Sequence, residues 1–274
     1  MSALGPQVLV QLSDTHITTP GQCVDGRVDT AAALARAVQT IQRWRPSPAA
    51  VLISGDLVES GTAEEYAHLR ALLAPLSAPL YVIAGNHDER QALRAAFPEH
   101  AHLGPAQREA FIQYAVDLPG AWRLVALDTV VPGASHGALC KQRLAWLQAT
   151  LEQAPTRPTI VAMHHPPFRT HIAAMDALGL RHGRDAFEAI VRRHPQVQRI
   201  VCGHLHRSIQ ARVAHTVALT APSPAHQVAL NLMDDEPLSY TFEPPGLALH
   251  VWTSSTDLVS HVLPLGEFPG PFPY

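Results

Sequence analysis

Val51-Leu52-Ile53-Ser54-Gly55-Asp56 is an apolar run of strand character that stops on a glycine and a carboxylate. A run of this kind bounded by Gly reads as a buried, parallel strand, and in open α/β sheets ligands collect just beyond the carboxyl ends of such strands. Asp56 stands at that edge. Four other apolar runs end the same way, each on residues able to bind a metal. Gln7–Leu12 leads to Ser13-Asp14-Thr15-His16, and the run 80–84 leads to Gly85-Asn86-His87-Asp88. Thr159–Met163 ends on His164-His165-Pro166-Pro167-Phe168, and the run 200–202 on Gly203-His204-Leu205-His206.

Helical patterns lie between these strands. Ala33, Leu34, Ala37, Val38 and Ile41 keep helical spacing over 29–44, with Asp29 as N-cap and Pro46 and Pro48 beyond the end. Thr62 with Glu65 three residues later is a capping box that opens a helix to about residue 74. Further helices are expected over 89–97, over 142–151 through Leu144, Leu147 and Leu151, and over 185–193 with Asp185 as cap. Arg123–Leu127 is one more strand, ending at Asp128-Thr129, while 98–119 carries no clear pattern. Strand and helix alternate throughout this part, which gives an α/β class. From residue 209 the character changes: 209–213 and 217–220 read as antiparallel strands, followed by a Pro-rich loop and strands over 247–252 and 259–265.

A chain of 274 residues with 47% hydrophobic content can bury a full core as one large domain, with or without a small appendage. The 20 basic and 23 acidic residues form no block of like charge, so neither a nucleic-acid surface nor an anionic membrane is indicated. The start of the chain lacks a basic n-region and a long apolar stretch, and no run reaches the ~18 apolar residues of a membrane helix. Three widely spaced cysteines, Cys23, Cys140 and Cys202, suit a reducing compartment, so a soluble cytoplasmic protein is expected. Walker A and dinucleotide fingerprints are absent.

Asp14, His16, Asp56, Asn86, His164, His204 and His206 are the candidate metal ligands, all expected on one rim. Two ions with four protein ligands each need eight bonds, and these residues supply them if one carboxylate bridges. Asp56 is the natural bridge. The mix of carboxylate, amide and imidazole suits two divalent or trivalent transition-metal ions, Fe, Mn, Zn or Co, and the lack of Cys argues against a structural zinc site. Each residue also has a structural reading: His204 and His206 one in and one out along a strand, His164 as a satisfied core histidine, Asn86 as a turn cap.

The ordered set D-x-H, G-D, G-N-H-D, H-H-P-P and G-H-x-H resembles the calcineurin-like metallophosphoesterase family, and within it the bacterial class III cyclic-nucleotide phosphodiesterases and their glycerophosphodiesterase relatives. The match runs from about residue 7 to 207. It extends more weakly through Ala221-Pro222-Ser223-Pro224-Ala225-His226-Gln227, which is similar to the substrate-side loop of the glycerophosphodiesterase branch. The resemblance implies an α/β/β/α four-layer sandwich, a catalytic domain over 1–207, a β-rich cap or dimerisation segment over 208–265 and a tail over 266–274. It assigns Asp14, His16, Asp56 and His206 to one ion, and Asp56, Asn86, His164 and His204 to the other.

His87 matches the family's catalytic histidine. A diester expels an alkoxide, a poor leaving group unless protonated, while a hydroxide held between the two ions attacks in line, so His87 is expected to act as general acid. Asp88 is expected either to orient His87 or to cap the following helix. Asn86, His87, Arg27 and His226 are the expected substrate contacts, and Arg27 has the alternative of a surface ion pair with Asp25 or Asp29. The relatives place aromatic residues in the loop 23–28 where this chain has Asp25 and Arg27. The expected function is hydrolysis of small phosphodiesters, 3′,5′-cyclic nucleotides or glycerophosphodiesters, by a homodimer or higher oligomer. A phosphomonoesterase, a nuclease or a non-catalytic scaffold of the same fold are the alternatives.

Overall fold

The computed structural model describes residues 5–104, 111–233 and 236–273. In chain order, β1 (Gln7–Leu12) is followed by α1 (Thr30–Arg43), β2 (Ala50–Ser54), α2 (Ala63–Leu73), β3 (Leu80–Ile83) and α3 (Arg90–Ala96). Then come β4 (Tyr114–Asp117), β5 (Arg123–Leu127), the short β6 (Val130–Val131) and β7 (Ala134–Ala138), α4 (Lys141–Glu152) and β8 (Thr159–Met163). After α5 (Ala173–Leu178), β9 (Leu180–His182) and α6 (Arg184–Arg193), the chain enters β10 (Val197–Cys202). It finishes through β11 (Gln210–Val213), β12 (Thr216–Thr220), β13 (Gln227–Val228), β14 (Tyr240–Thr241), β15 (Gly246–Trp252) and β16 (Leu258–Pro264).

These strands form two main sheets, ordered β16-β15-β1-β2-β3 and β11-β12-β10-β8-β5-β4. Within them β1, β2 and β3 run parallel, as do β5, β8, β10 and β12. Period-two alternation shows which face meets what. Leu124, Ala126, Ile160, Ala162 and Val201 join the large core shared with Leu9, Leu52, Ala248 and Trp252 of the first sheet. Their neighbours Val125, Leu127, Val161, Met163 and Ile200 face the other way, onto Leu147 and Leu151 of α4 and Phe187, Ile190 and Val191 of α6. On the far side of the first sheet, α1 and α2 bury Leu34, Val38, Ile41, Tyr66 and Leu69. The order of layers is therefore helix, sheet, sheet, helix, as the motifs implied.

Asp29 caps α1 by accepting from Ala32 N, and the Thr62–Glu65 capping box forms as the sequence predicts. For α6 the expectation differs from the structure, because Gly183 rather than Asp185 is the N-cap. The chain turns sharply out of β9 with Gly183 at φ +85°, where a side chain would run into the Leu139 backbone, and Asp185 lies in the first turn instead. The unassigned stretch 98–119 contains β4, and 105–110 lies outside the described residues. Segment 208–265 divides its strands. β11 and β12 extend the second sheet beyond β10, β15 and β16 extend the first beyond β1, and the two-stranded ribbon β13–β14 pairs with neither.

Candidate metal centre and its pocket

Because β1, β2 and β3 are parallel, their carboxyl ends share one edge, and β8 and β10 bring theirs to the matching edge of the second sheet. Backbone bonds hold the turns within each edge together. Asp14 N donates to Gly55 O at 3.0 Å, His16 N to Asp56 O at 3.0 Å, and Gly203 N to His164 O at 3.0 Å. The His204 amide donates to both Asp14 carboxylate oxygens, at 2.9 and 3.1 Å, which joins the sheets through a ligand side chain. Gly55 and Gly85 are required by this crowding, since a Cβ at either would overlap the His164 ring or the Asp56 carboxylate.

The seven expected ligands converge. Nε2 of His16 lies 3.2 Å from Nε2 of His206 and 3.7 Å from Asp56 Oδ2, while His206 Nε2 is 3.7 Å from Asp14 Oδ1. On the other side His164 Nε2 is 3.2 Å from Asp56 Oδ2 and 3.2 Å from Asn86 Oδ1, with the His204 ring centroid 5.2 Å from that of His164. Asp56 Oδ2 thus faces both groups. His164 Nδ1–H donates to the Ser54 carbonyl at 2.9 Å, which leaves Nε2 for the centre. His165 is also close to His164 and His204, but its nitrogens sit at Thr129 Oγ1, 2.8 Å, and the Ser135 carbonyl, 3.2 Å. The first histidine of the pair is the one free to bind.

Charge follows burial. Burial pushes Asp14 up to about 6. Burial also opposes the charge on His164 and Asp56, yet their mutual attraction wins, raising His164 to about 9 and holding Asp56 well below the usual carboxylate range. His204 is lowered to about 3 by burial and the nearby His164, and His206 is lowered by burial and His16. Both are neutral imidazoles, the form that binds metals. His204 Nε2 is buried without a hydrogen-bond partner. An orphaned nitrogen, two imidazole nitrogens facing each other and two buried carboxylates are costly without cations, and they fit a pair of borderline first-row ions.

The model of the calcineurin-like phosphoesterase family matches residues 8–208. The chain belongs to that family. It is 35% identical over 97% of its length, and 96% of the relative, to a probable glycerophosphodiester phosphodiesterase GpdQ of Arcobacter nitrofigilis. It is 36% identical to a probable cyclic nucleotide phosphodiesterase of Rhodopseudomonas palustris over 92% of this chain and 90% of that one. With the 3′,5′-cyclic adenosine monophosphate phosphodiesterase CpdA of Pseudomonas aeruginosa it shares 32% identity over 81% and 78% of the two chains. Among solved structures, a dimetal phosphatase from Danio rerio superposes with a TM-score of 0.65 over 95% of this chain and 99% of the other, at 14% identity, a likeness of fold.

In this phosphoesterase the centre opens into a cavity of about 390 Å³. His87, Asn86 and His226 line it as expected, and the ribbon adds Val228 and Tyr240. His226 packs edge-on to His206 at 4.6 Å and to Tyr240 at 5.1 Å, with burial lowering it to about 4. Arg27 is exposed, and the loop 23–28 lines the cavity with Val24 and Asp25 instead. Asp88 is turned away from His87. Its Oδ2 accepts from Gly85 N at 2.8 Å and Leu57 N at 3.2 Å, and its Oδ1 from Tyr66 at 2.8 Å, so it ties the Asn86 turn to the Asp56 turn. The N-cap of α3 is Glu89 rather than Asp88. The residue the sequence reading missed is Glu59, three positions after Asp56. Its carbonyl accepts from His87 Nδ1 at 2.7 Å and its carboxylate from His16 Nδ1 at 2.7 Å. An acidic residue in so short a loop after a ligand was its only signal.

Proposed function

We propose that this site hydrolyses small phosphodiesters, 3′,5′-cyclic nucleotides or glycerophosphodiesters, with Asp14, His16, Asp56 and His206 holding one ion and Asp56, Asn86, His164 and His204 the other. The observation that carries diester over monoester is the wall of the cavity: Asp25 and Glu59 line it, and no Lys or Arg does among the described residues. A monoester dianion would meet carboxylates without a protein cation. A diester carries a single negative charge and needs room for a second organic group, which the side bearing His226 and Tyr240 offers. When bound, two such ions neutralise the phosphoryl oxygens and supply a water acidic enough to ionise near neutral pH.

His87 supplies the other half of the chemistry. With Nδ1–H held by the Glu59 carbonyl at 2.7 Å, Nε2 is the nitrogen left to serve the cavity, and the doubly protonated ring donates from it to the departing alkoxide. Relatives named for cyclic nucleotides and for glycerophosphodiesters support both substrate groups. The exposed free thiols Cys23 and Cys140 support a reducing cytoplasm, and the exposed β16 edge supports a homodimer. The test is a substrate panel with Mn- or Co-reconstituted protein. Bis-nitrophenyl phosphate should be cleaved with higher kcat/KM than nitrophenyl phosphate, and cyclic AMP or a glycerophosphodiester should be turned over. Preference for the monoester would overturn the reading.

A further inference from the structure

Glu59 lines the cavity and, from outside the seven candidate ligands, engages the candidate ligand His16. Its Oε2 lies 2.7 Å from His16 Nδ1, and the two side chains are 31% and 6% exposed. The backbone fixes where it emerges: Ile17 bridges Val58, Ile17 N donates to Leu57 O at 3.1 Å, and Glu59 N donates to Ile17 O at 3.1 Å. Val58 is thereby buried in the core, and the next side chain reaches back to Nδ1 of His16. Since a carboxylate only accepts, the proton of this bond sits on His16 Nδ1, and Nε2 is the ring nitrogen left over. That nitrogen is the one that faces His206 and Asp56.

We infer that Glu59 is a positioning residue for the ion held through His16, fixing the tautomer and the ring orientation of that ligand. The inference rests on the dinuclear reading above. Carboxylates placed behind ligating histidines typically contribute 10–100-fold in metal affinity. The bland alternative, a half-exposed ion pair, contributes little and would leave metal binding unchanged. The two differ in which ion responds. A strut for the whole rim would weaken both ions together, whereas an orienting group acts on one.

The experiment compares wild type, Glu59→Ala and Glu59→Gln, each reconstituted with Mn(II) and titrated against a chelator with ions per chain read by elemental analysis. In Glu59→Ala one ion should be released ~10–100-fold more easily while the second keeps its wild-type affinity. Glu59→Gln, whose amide oxygen still accepts from Nδ1–H, should fall between the two. In metal-free protein labelled with ¹⁵N-histidine, at alkaline pH where the ring is neutral, His16 should be held as the Nδ1–H tautomer in wild type and Glu59→Gln and become a mixture in Glu59→Ala. Equal loss of both ions, or an unchanged tautomer in Glu59→Ala, overturns the inference. If wild type itself retains fewer than two ions, the dinuclear reading fails, and the tautomer measurement still decides whether Glu59 holds His16.

Discussion

Five of the seven candidate ligand positions have left-handed backbone: Asp14 at φ 53°, His16 at 43°, Asp56 at 48°, His204 at 72° and His206 at 51°. Asp, Asn and His are the non-glycine residues that tolerate this region best, so the types that bind metals are also those that can sit in these tight turns. Such positions cost on the order of 1–3 kcal/mol each and persist where the surroundings over-determine them, here through the bonds between turns. His87 stands apart as a half-exposed ring at the cavity, its position set by the Glu59 carbonyl. His87→Ala should therefore keep both ions, measured by elemental analysis, and lower turnover of a diester with an alkoxide leaving group by ~10²- to 10⁴-fold. The loss on a nitrophenyl diester should be milder, because that leaving group departs without a proton. Equal losses on both would show that His87 positions substrate instead.

At the scale of elements, the strand added beside β1 does more than lengthen the sheet. His250 on β15 donates from Nε2 to Gln11 Oε1 at 3.0 Å, and Gln11 donates to Ser54 Oγ at 2.8 Å and to Cys202 O at 2.9 Å, so one buried chain links β15, β1, β2 and β10. Burial, with Arg199 nearby, lowers His250 to about 3 from its ordinary 6.5. Between those values the unfolded chain binds a proton that the folded one refuses. The stability held above pH 6.5 is therefore lost progressively as pH falls toward 3. In metal-free protein, His250→Gln should lower the urea midpoint at pH 7.5, because it disturbs a buried network. It should also flatten the decline between pH 6.5 and 4, by up to about 1.4 kcal/mol per pH unit for one proton. An unchanged slope would mean that His250 is not held neutral.

The whole molecule leaves one long sheet edge open. β16 is the outer strand of the first sheet, its Val259 and Val262 are 47% and 43% exposed, and Phe268 and Phe272 beyond it are more exposed still. Unpaired edges with apolar side chains invite a second chain. Light scattering at micromolar concentration should give twice the 29.7 kDa of one chain, and Val259→Lys with Val262→Lys should return it to a monomer. A monomeric wild type would exclude the dimer.

What the sequence determined by itself was the set of strand ends and the donors they carry. Both are written in residues next to one another: an apolar run of period two, a glycine, then Asp, Asn or His. Parallel strands place such ends on one edge, so the seven candidate ligands could be named before their distances were known. The tertiary structure alone decided what depends on pairing between distant segments. Asp88 lost its expected task to the amides of Gly85 and Leu57 because two turns meet there. Arg27 faces solvent while Asp25 lines the cavity, since the loop's direction follows from its packing and not its composition. Strands β11, β12, β15 and β16 share local patterns, yet two complete one sheet and two the other. A strand's own residues specify that it will pair, and only the shape of the sheet edges already formed specifies with what.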